Sequence, residues 1–186
     1  MSISTNDFKN GMTLDLDDGL FQVVEFQHVK PGKGGAFVRT KLRNVRIGTT
    51  VERTFRADEK VEQAVIDKRE MQYLYAEGSD MVFMDNTTYD QMHVPPASLG
   101  GAESYMIEGS TAVLQMYKNE IVGVDLPASV ELNVVMTEPG LQGDRSSAGR
   151  KPATVESGLT VQVPLFVNIG DRIKVDTRSG DYITRV

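Results

Sequence analysis

Apolar and polar residues alternate with a period of two along most of the chain. In AFVRTKLRNV, Ala36, Val38, Thr40 and Leu42 share one side of an extended strand, and Phe37, Arg39, Lys41 and Arg43 share the other. The first side suits a core. The second presents basic groups around one aromatic ring. FQVVEFQHVK, just upstream, is rich in β-branched and aromatic residues and predicts a second strand. Between them lies PGKGG, a suitable hairpin connection because glycine tolerates positive φ and Pro31 fixes its own. Lys33 stands at the tip of this bare turn with nothing to pack against, which places its use outside the molecule.

A second group of strands begins near Val65: MQYLYAEG, MVFMDN and TTYDQMHV, with turns at Glu77-Gly78 and Asp85-Asn86. PPASLGGAESYMIEG interrupts them and predicts a short helix beginning near Ala97. STAVLQMYKNEIVGVDLP resumes the strands with a turn at Lys118-Asn119. A third group follows Pro127: SVELNVVMTEPG, LTVQVPLFVNIGDRIKVDT and DYITRV, with the loop LQGDRSSAGRKPA lacking an apolar period. The expected class is all-β, in three units spanning 1–64, 65–126 and 127–186. Each has about 60 residues, near the lower size for an independent core. No strict internal repeat is visible.

Charge redistributes the interest along the chain. The net charge of −6 argues against a nucleic-acid partner until it is divided. Residues 1–64 carry 10 Lys/Arg against 9 Asp/Glu, residues 65–126 carry 3 against 10, and residues 127–186 carry 7 against 7. Within 28–56, eight basic residues (Lys30, Lys33, Arg39, Lys41, Arg43, Arg46, Arg53, Arg56) face one acid, Glu52. A stretch of +7 in an acidic protein points to a polyanion at one end.

Other chemistry finds little support. There is no cysteine, hence no disulfide, thiolate nucleophile or zinc–sulfur site. His28 and His93 are far apart without an obvious third ligand, so no metal is expected. GKGG lacks the spacing and the GK[ST] ending of a phosphate-binding loop, and a strand follows it. The methionines Met71, Met81, Met84, Met92, Met106 and Met116 read as core filler. No cofactor is called for. No apolar run approaches the roughly 20 residues of a bilayer span. MSISTNDFKNG lacks the basic and apolar regions of a secretion signal, so a cytoplasmic address without membrane attachment is expected.

Three ordered segments carry a family likeness: VKPGKGGAFVRTKLRNV, KPATVESGLTVQVPLFVNIG (Lys151 to Gly170) and the ending IKVDTRSGDYITRV. Over its whole length the chain resembles bacterial elongation factor P. The resemblance implies an SH3-like (KOW-type) barrel followed by two OB-type barrels, arranged as an L of roughly tRNA size. It implies a non-enzymatic, monomeric translation factor that binds the 70S ribosome, both RNA and protein, beside the P-site tRNA. Such factors relieve stalling at consecutive prolines.

Carried onto these residues, Lys33 is the tip that reaches the CCA end of the tRNA near the peptidyl-transferase centre. Pro31, Gly32, Gly34 and Gly35 keep its loop narrow. Lys30, Arg39, Lys41 and Arg43 are candidate RNA contacts on the grounds of charge and alternation. Gly143, Asp144 and Arg145 align with a loop near the E-site codon, where many relatives have threonine in place of Arg145. Tyr182 and Arg185 match a C-terminal pair near RNA, although by themselves they read equally well as a strand-end aromatic and a solvated arginine. Relatives often carry an enzymatic modification on the tip residue, which makes a lysine-modifying enzyme a further partner. Others use a plain lysine in a loop like PGKGPA. AFVRTKLRNV resembles the plain-lysine group more closely, so an unmodified Lys33 is expected.

Two other classes compete. A general single-stranded RNA-binding or chaperone protein on OB barrels normally displays several stacking aromatics along a basic groove, and this chain has no tryptophan. An enzyme using Lys33 as nucleophile needs a buried or cation-flanked lysine, and this loop promises exposure. The acidic middle unit suits a basic ribosomal protein, or serves solubility alone.

Overall fold

The computed structural model describes residues 1–140 and 149–186. They form sixteen strands in three antiparallel sheets, with only three single-turn 3-10 helices among the described residues. No described helix is long and apolar enough to cross a membrane.

The first sheet is built from β1 (Ser2–Ser4), β2 (Thr13–Leu16), β3 (Gly19–Val29), β4 (Phe37–Asn44), β5 (Thr50–Arg56) and β6 (Lys60–Ala64), in the order β1-β6-β2-β3-β4-β5. Its core gathers Phe8, Leu14, Phe21, Val23, Val38, Leu42, Phe55 and Val61. β4 follows the alternation expected of it: Val38, Thr40 and Leu42 are buried, while Arg39, Lys41 and Arg43 are exposed. The buried hydroxyl of Thr40 donates a 2.6 Å hydrogen bond to the Arg53 carbonyl, so this polar group sits inside at little cost. Burying Val38 and Leu42 contributes roughly 1.5–3 kcal/mol each, which fixes the register against a one-residue slip.

The second sheet comprises β7 (Asp67–Glu77), β8 (Asp80–Asp85), β9 (Gln91–Val94), β10 (Thr111–Tyr117) and β11 (Glu120–Asp125). The third comprises β12 (Ser129–Thr137), β13 (Arg150–Val155), β14 (Thr160–Pro164), β15 (Arg172–Asp176) and β16 (Tyr182–Arg185). Numbered within its own sheet, each runs 5-4-1-2-3. The two sheets therefore share one topology, that of a five-stranded Greek-key barrel. The turns expected at Asp85-Asn86 and at Lys118-Asn119 are present, and the one expected at Glu77-Gly78 falls one residue later, at Gly78-Ser79, because Glu77 still closes β7. Lys118 and Asn119 both have positive φ, 49° and 63°, as a two-residue hairpin turn requires. The expected helix near Ala97 is two 3-10 turns, Pro96–Leu99 and Ala102–Tyr105, divided by Gly100 and Gly101 at φ 61° and 94°. Met71, Met81, Met106 and Met116 are buried, and Met84 and Met92 half-buried.

Single-residue bulges interrupt the alternation. In β3 the pairing passes from Val23↔Leu42 to Glu25↔Lys41, leaving Val24 unpaired and 43% exposed. Val135 in β12 and Ile183 in β16 are displaced in the same way. The exposure of these apolar side chains follows from the extra residue, which turns a strand's inward parity over.

One loop design recurs in all three sheets. Asn44, Asp85 and Asp176 each end a strand and accept two amide hydrogen bonds on Oδ1. The donors are Arg46 and Ile47 (2.9 and 3.1 Å), Thr87 and Thr88 (2.7 and 3.1 Å), and Arg178 and Ser179 (2.7 and 3.2 Å). The fifth residue of each loop, Gly48, Tyr89 or Gly180, has φ of 73°, 63° or 77°.

The described chain divides into two compact units. One is Met1–Lys68 with Gln115–Gly123; the other is Arg69–Leu114 with Val124–Val186.

Candidate nucleic-acid interface

β3 and β4 pair up to Val29↔Phe37, so the tip loop comprises residues 30–36. Gly34 takes φ 109°, a conformation that L side chains rarely adopt, and glycine is required there. A Cβ on Gly32 or Gly35 would meet nothing within 4 Å. Lys30 through Gly35, Lys33 included, are all exposed. Lys33 makes no hydrogen bond or ion pair among the described residues, which leaves its ammonium group fully available.

Below the tip, the outer face of β3, β4 and β5 carries the strand-borne cations. Each has a different setting. Arg39 lies between Gln27 and Thr54, and Arg43 between Gln22 and Thr50. Lys41 lies between Glu25 and Glu52, one carboxylate on each neighbouring strand. Cross-strand neighbours on one face stand about 5 Å apart, so Lys41 is locally compensated and Arg39 and Arg43 are not. Arg56 pairs in register with Phe37 and joins the same exposed face.

The patch is smaller than its residue count suggests. Arg53 projects from the opposite side of β5 and makes a two-pronged contact with Asp18, at 3.0 and 2.6 Å. Its guanidinium also lies 5.2 Å from the Phe21 ring centroid. The Arg53 hydrogen bond holds the Asp18 carboxyl below its ordinary range, and Asp18 in turn raises Arg53. Arg46 pairs with Glu120 at 3.3 Å. Lys30, Lys33, Arg39, Lys41, Arg43 and Arg56 have no ion pair among the described residues. Sequence alone counts Arg56 only as part of the charged stretch; its place on this face follows from its register opposite Phe37.

In the last sheet the sequence candidates separate. Gly143, Asp144 and Arg145 lie outside the described residues. The Tyr182 ring is half-buried against the core of Leu132, Val155, Val163 and Ile173, which gives it a packing role. Arg185 remains exposed, with its guanidinium 5.0 Å from the Phe166 ring centroid and 3.5 Å from Asp171. The sequence does not mark Phe166, because 165–171 has no strand period to show an outward ring. It is 56% exposed. Among the described residues no three His, Cys, Asp or Glu side chains are grouped to hold a metal.

Comparison with known proteins covers the whole organisation. Residues 4–61 match the elongation factor P KOW-like domain, residues 66–124 its OB domain, and residues 130–185 its C-terminal domain. Elongation factor P of Beutenbergia cavernae is 58% identical over 183 residues, covering 98% of each chain. That of Pelotomaculum thermopropionicum is 53% identical over 184 residues, covering 99% of this chain and 100% of its own. Among solved structures, a eukaryotic translation initiation factor 5A from Methanococcus jannaschii superposes with a TM-score of 0.51 at 25% identity. It covers 68% of this chain and 92% of its own. With all three domain models matched in order and such relatives spanning nearly every residue, the chain belongs to the elongation factor P family of translation elongation factors.

Proposed function

We propose that the protein binds the 70S ribosome beside the P-site tRNA and promotes peptide-bond formation at consecutive prolines by steadying the tRNA's CCA end. The observation that carries this reading is Lys33: an exposed cation at the end of a narrow glycine loop, on a barrel whose outer face offers Lys30, Arg39, Arg43 and Arg56 without internal partners. Proline is a poor acceptor and a strained donor, so reacting groups spend little time aligned. A cation held beside the CCA end raises that fraction, an entropic gain in which the ribosome forms the bond and the factor performs no chemistry. The working units are 1–64, 65–126 and 127–186, acting as a cytoplasmic monomer.

The basic face carries one ring, Phe37, and offers no row of stacking aromatics, which supports the tRNA-steadying reading over general single-stranded RNA binding. Lys33 acts without modification in this proposal; a mass increment localised to Lys33 in protein from its native host would overturn that part. The main experiment is reconstituted translation of a triproline peptide. Lys33→Ala should abolish the stimulation while shifting stability by less than about 0.5 kcal/mol. Full stimulation by the folded variant would refute the proposal.

A further inference from the structure

β10 and β11 belong to the second sheet, yet their hairpin end, Gln115–Gly123, groups with residues 1–68 in one compact unit. The tie has an apolar and a polar part. Leu20, Ala64 and Val122 are buried together, with Val45, Ile66 and the Tyr117 ring packed against them. That seam is small. Beside it lies a cavity of about 530 Å³ lined by Asp15, Asp18, Arg46, Ile47 and Glu120 among others.

Polar contacts join the hairpin to the barrel beside this seam. The Tyr117 hydroxyl donates a 2.8 Å hydrogen bond to Asp15 Oδ2, and Lys118 Nζ lies 3.5 Å from the same oxygen. A hydroxyl on a carboxylate is among the stronger hydrogen bonds in a protein. The hydrogen bond to Asp15 also raises the Tyr117 phenol above its ordinary value, which keeps the donor proton in place. The turn at Lys118-Asn119 is tight, so the two donors have little freedom of their own. Arg46 and Glu120 add an outer ion pair.

Asp15 stands opposite Leu20 beside the β2–β3 turn, where β3 begins, and β3 then runs its full length to the Lys33 loop. Eleven residues of strand span roughly 35 Å, so a rotation of about 5° at the base moves the tip by roughly 3 Å. Displacements smaller than that cost large factors in rate when alignment is the whole contribution.

We propose that Tyr117 and Asp15, assisted by Lys118, form a latch at the base of β3 and act as positioning residues for Lys33. The inference rests on the function proposed above. It predicts that breaking the latch lowers the ceiling of stimulation and leaves the factor's affinity for the ribosome in place.

The experiment uses full-length Tyr117→Phe, which keeps the ring in its apolar seat, and Asp15→Asn. Two readouts separate the possibilities. Because the chain has no cysteine, spin labels on Lys33→Cys and Gln115→Cys can report the distance distribution between the tip loop and the hairpin within this one unit. In triproline synthesis, the maximal rate and the half-saturating factor concentration are measured with unlabelled protein. A distribution about twice as broad, a maximal rate lower by about tenfold, and a half-saturating concentration within about twofold are expected. Restored stimulation in Arg46→Glu with Glu120→Arg, after loss in each single variant, would support the outer pair's part. An unchanged distance distribution overturns the latch. A broadened distribution with an unaltered maximal rate overturns its positioning role. If wild-type protein fails to stimulate, the proposed function falls, and the label distances still decide the latch.

Discussion

Tyr89 occupies in the second sheet the loop position that Gly180 occupies in the third. Both close the same aspartate-capped turn, with φ of 63° and 77°, and each donates its amide to the carbonyl of that aspartate, at 2.8 and 2.9 Å. Tyrosine carries a Cβ penalty of roughly 1–2 kcal/mol in this region, partly offset because glycine loses more freedom on folding. Tyr89→Gly should therefore stabilise the protein by about 0.5–1 kcal/mol, read as a rise in the thermal or urea midpoint. A fall would show that the exposed ring contributes packing beyond its turn.

Gly140 and Gly149 both lean on Leu165, and alanine should not be tolerated equally at the two sites. A Cβ on Gly140 would overlap the Leu165 carbonyl oxygen, a backbone atom that cannot readily yield. On Gly149 it would stand 2.9 Å from Leu165 Cδ1, the far end of a flexible side chain. Gly140→Ala should cost about 1–3 kcal/mol and Gly149→Ala clearly less, by equilibrium unfolding. Equal losses would contradict the geometry.

Acid should loosen the two aspartate turns. Amide hydrogen bonds from Thr87 and Thr88 depress the Asp85 carboxyl below its ordinary 3.8, and those from Arg178 and Ser179 do the same for Asp176. A group depressed in the folded state stabilises above the unfolded value and loses that contribution as pH falls through the folded one. The loss therefore begins near pH 4 and grows below it. Asn44 performs the same capping without a charge, so Asp85→Asn with Asp176→Asn should flatten the decline in unfolding midpoint below about pH 4. An unchanged acid limb would assign it to other carboxylates.

Arg39 and Lys41 are two residues apart on one exposed face, yet the acids across from Lys41 make them unequal. Ribosome binding measured across salt concentrations should weaken more for Arg39→Gln than for Lys41→Gln, with a shallower salt slope for the arginine variant. The reverse ranking would show that the register neighbours do not govern the patch.

Much of this was visible in the sequence where one physical rule acted alone. Burial on a single face writes a two-residue period, so Val38, Thr40 and Leu42 and the opposed cations could be read directly. The PGKGG tip was equally open, because glycine and proline mark turns through their own backbones. The bulges at Val24, Val135 and Ile183 were not legible, since one inserted residue leaves composition unchanged and only the partner strand reveals it. The same holds for Lys41, whose compensation by Glu25 requires the register. The attachment of Tyr117 to Asp15 joins residues 102 positions apart, a relation that no local pattern encodes.

The shared 5-4-1-2-3 order of the second and third sheets sets a problem of succession during synthesis. Twin topologies placed side by side in one chain can exchange strands before either has closed, and such swaps are a familiar failure of repeated domains. This chain keeps the twins chemically apart. The second sheet buries Met71, Tyr73 and Phe83, and the third gathers Leu132, Val155, Val163 and Ile173. A strand borrowed from the neighbour would bring side chains of the wrong bulk to the vacancy, so unlike furnishings let two copies of one blueprint assemble in sequence without trading parts.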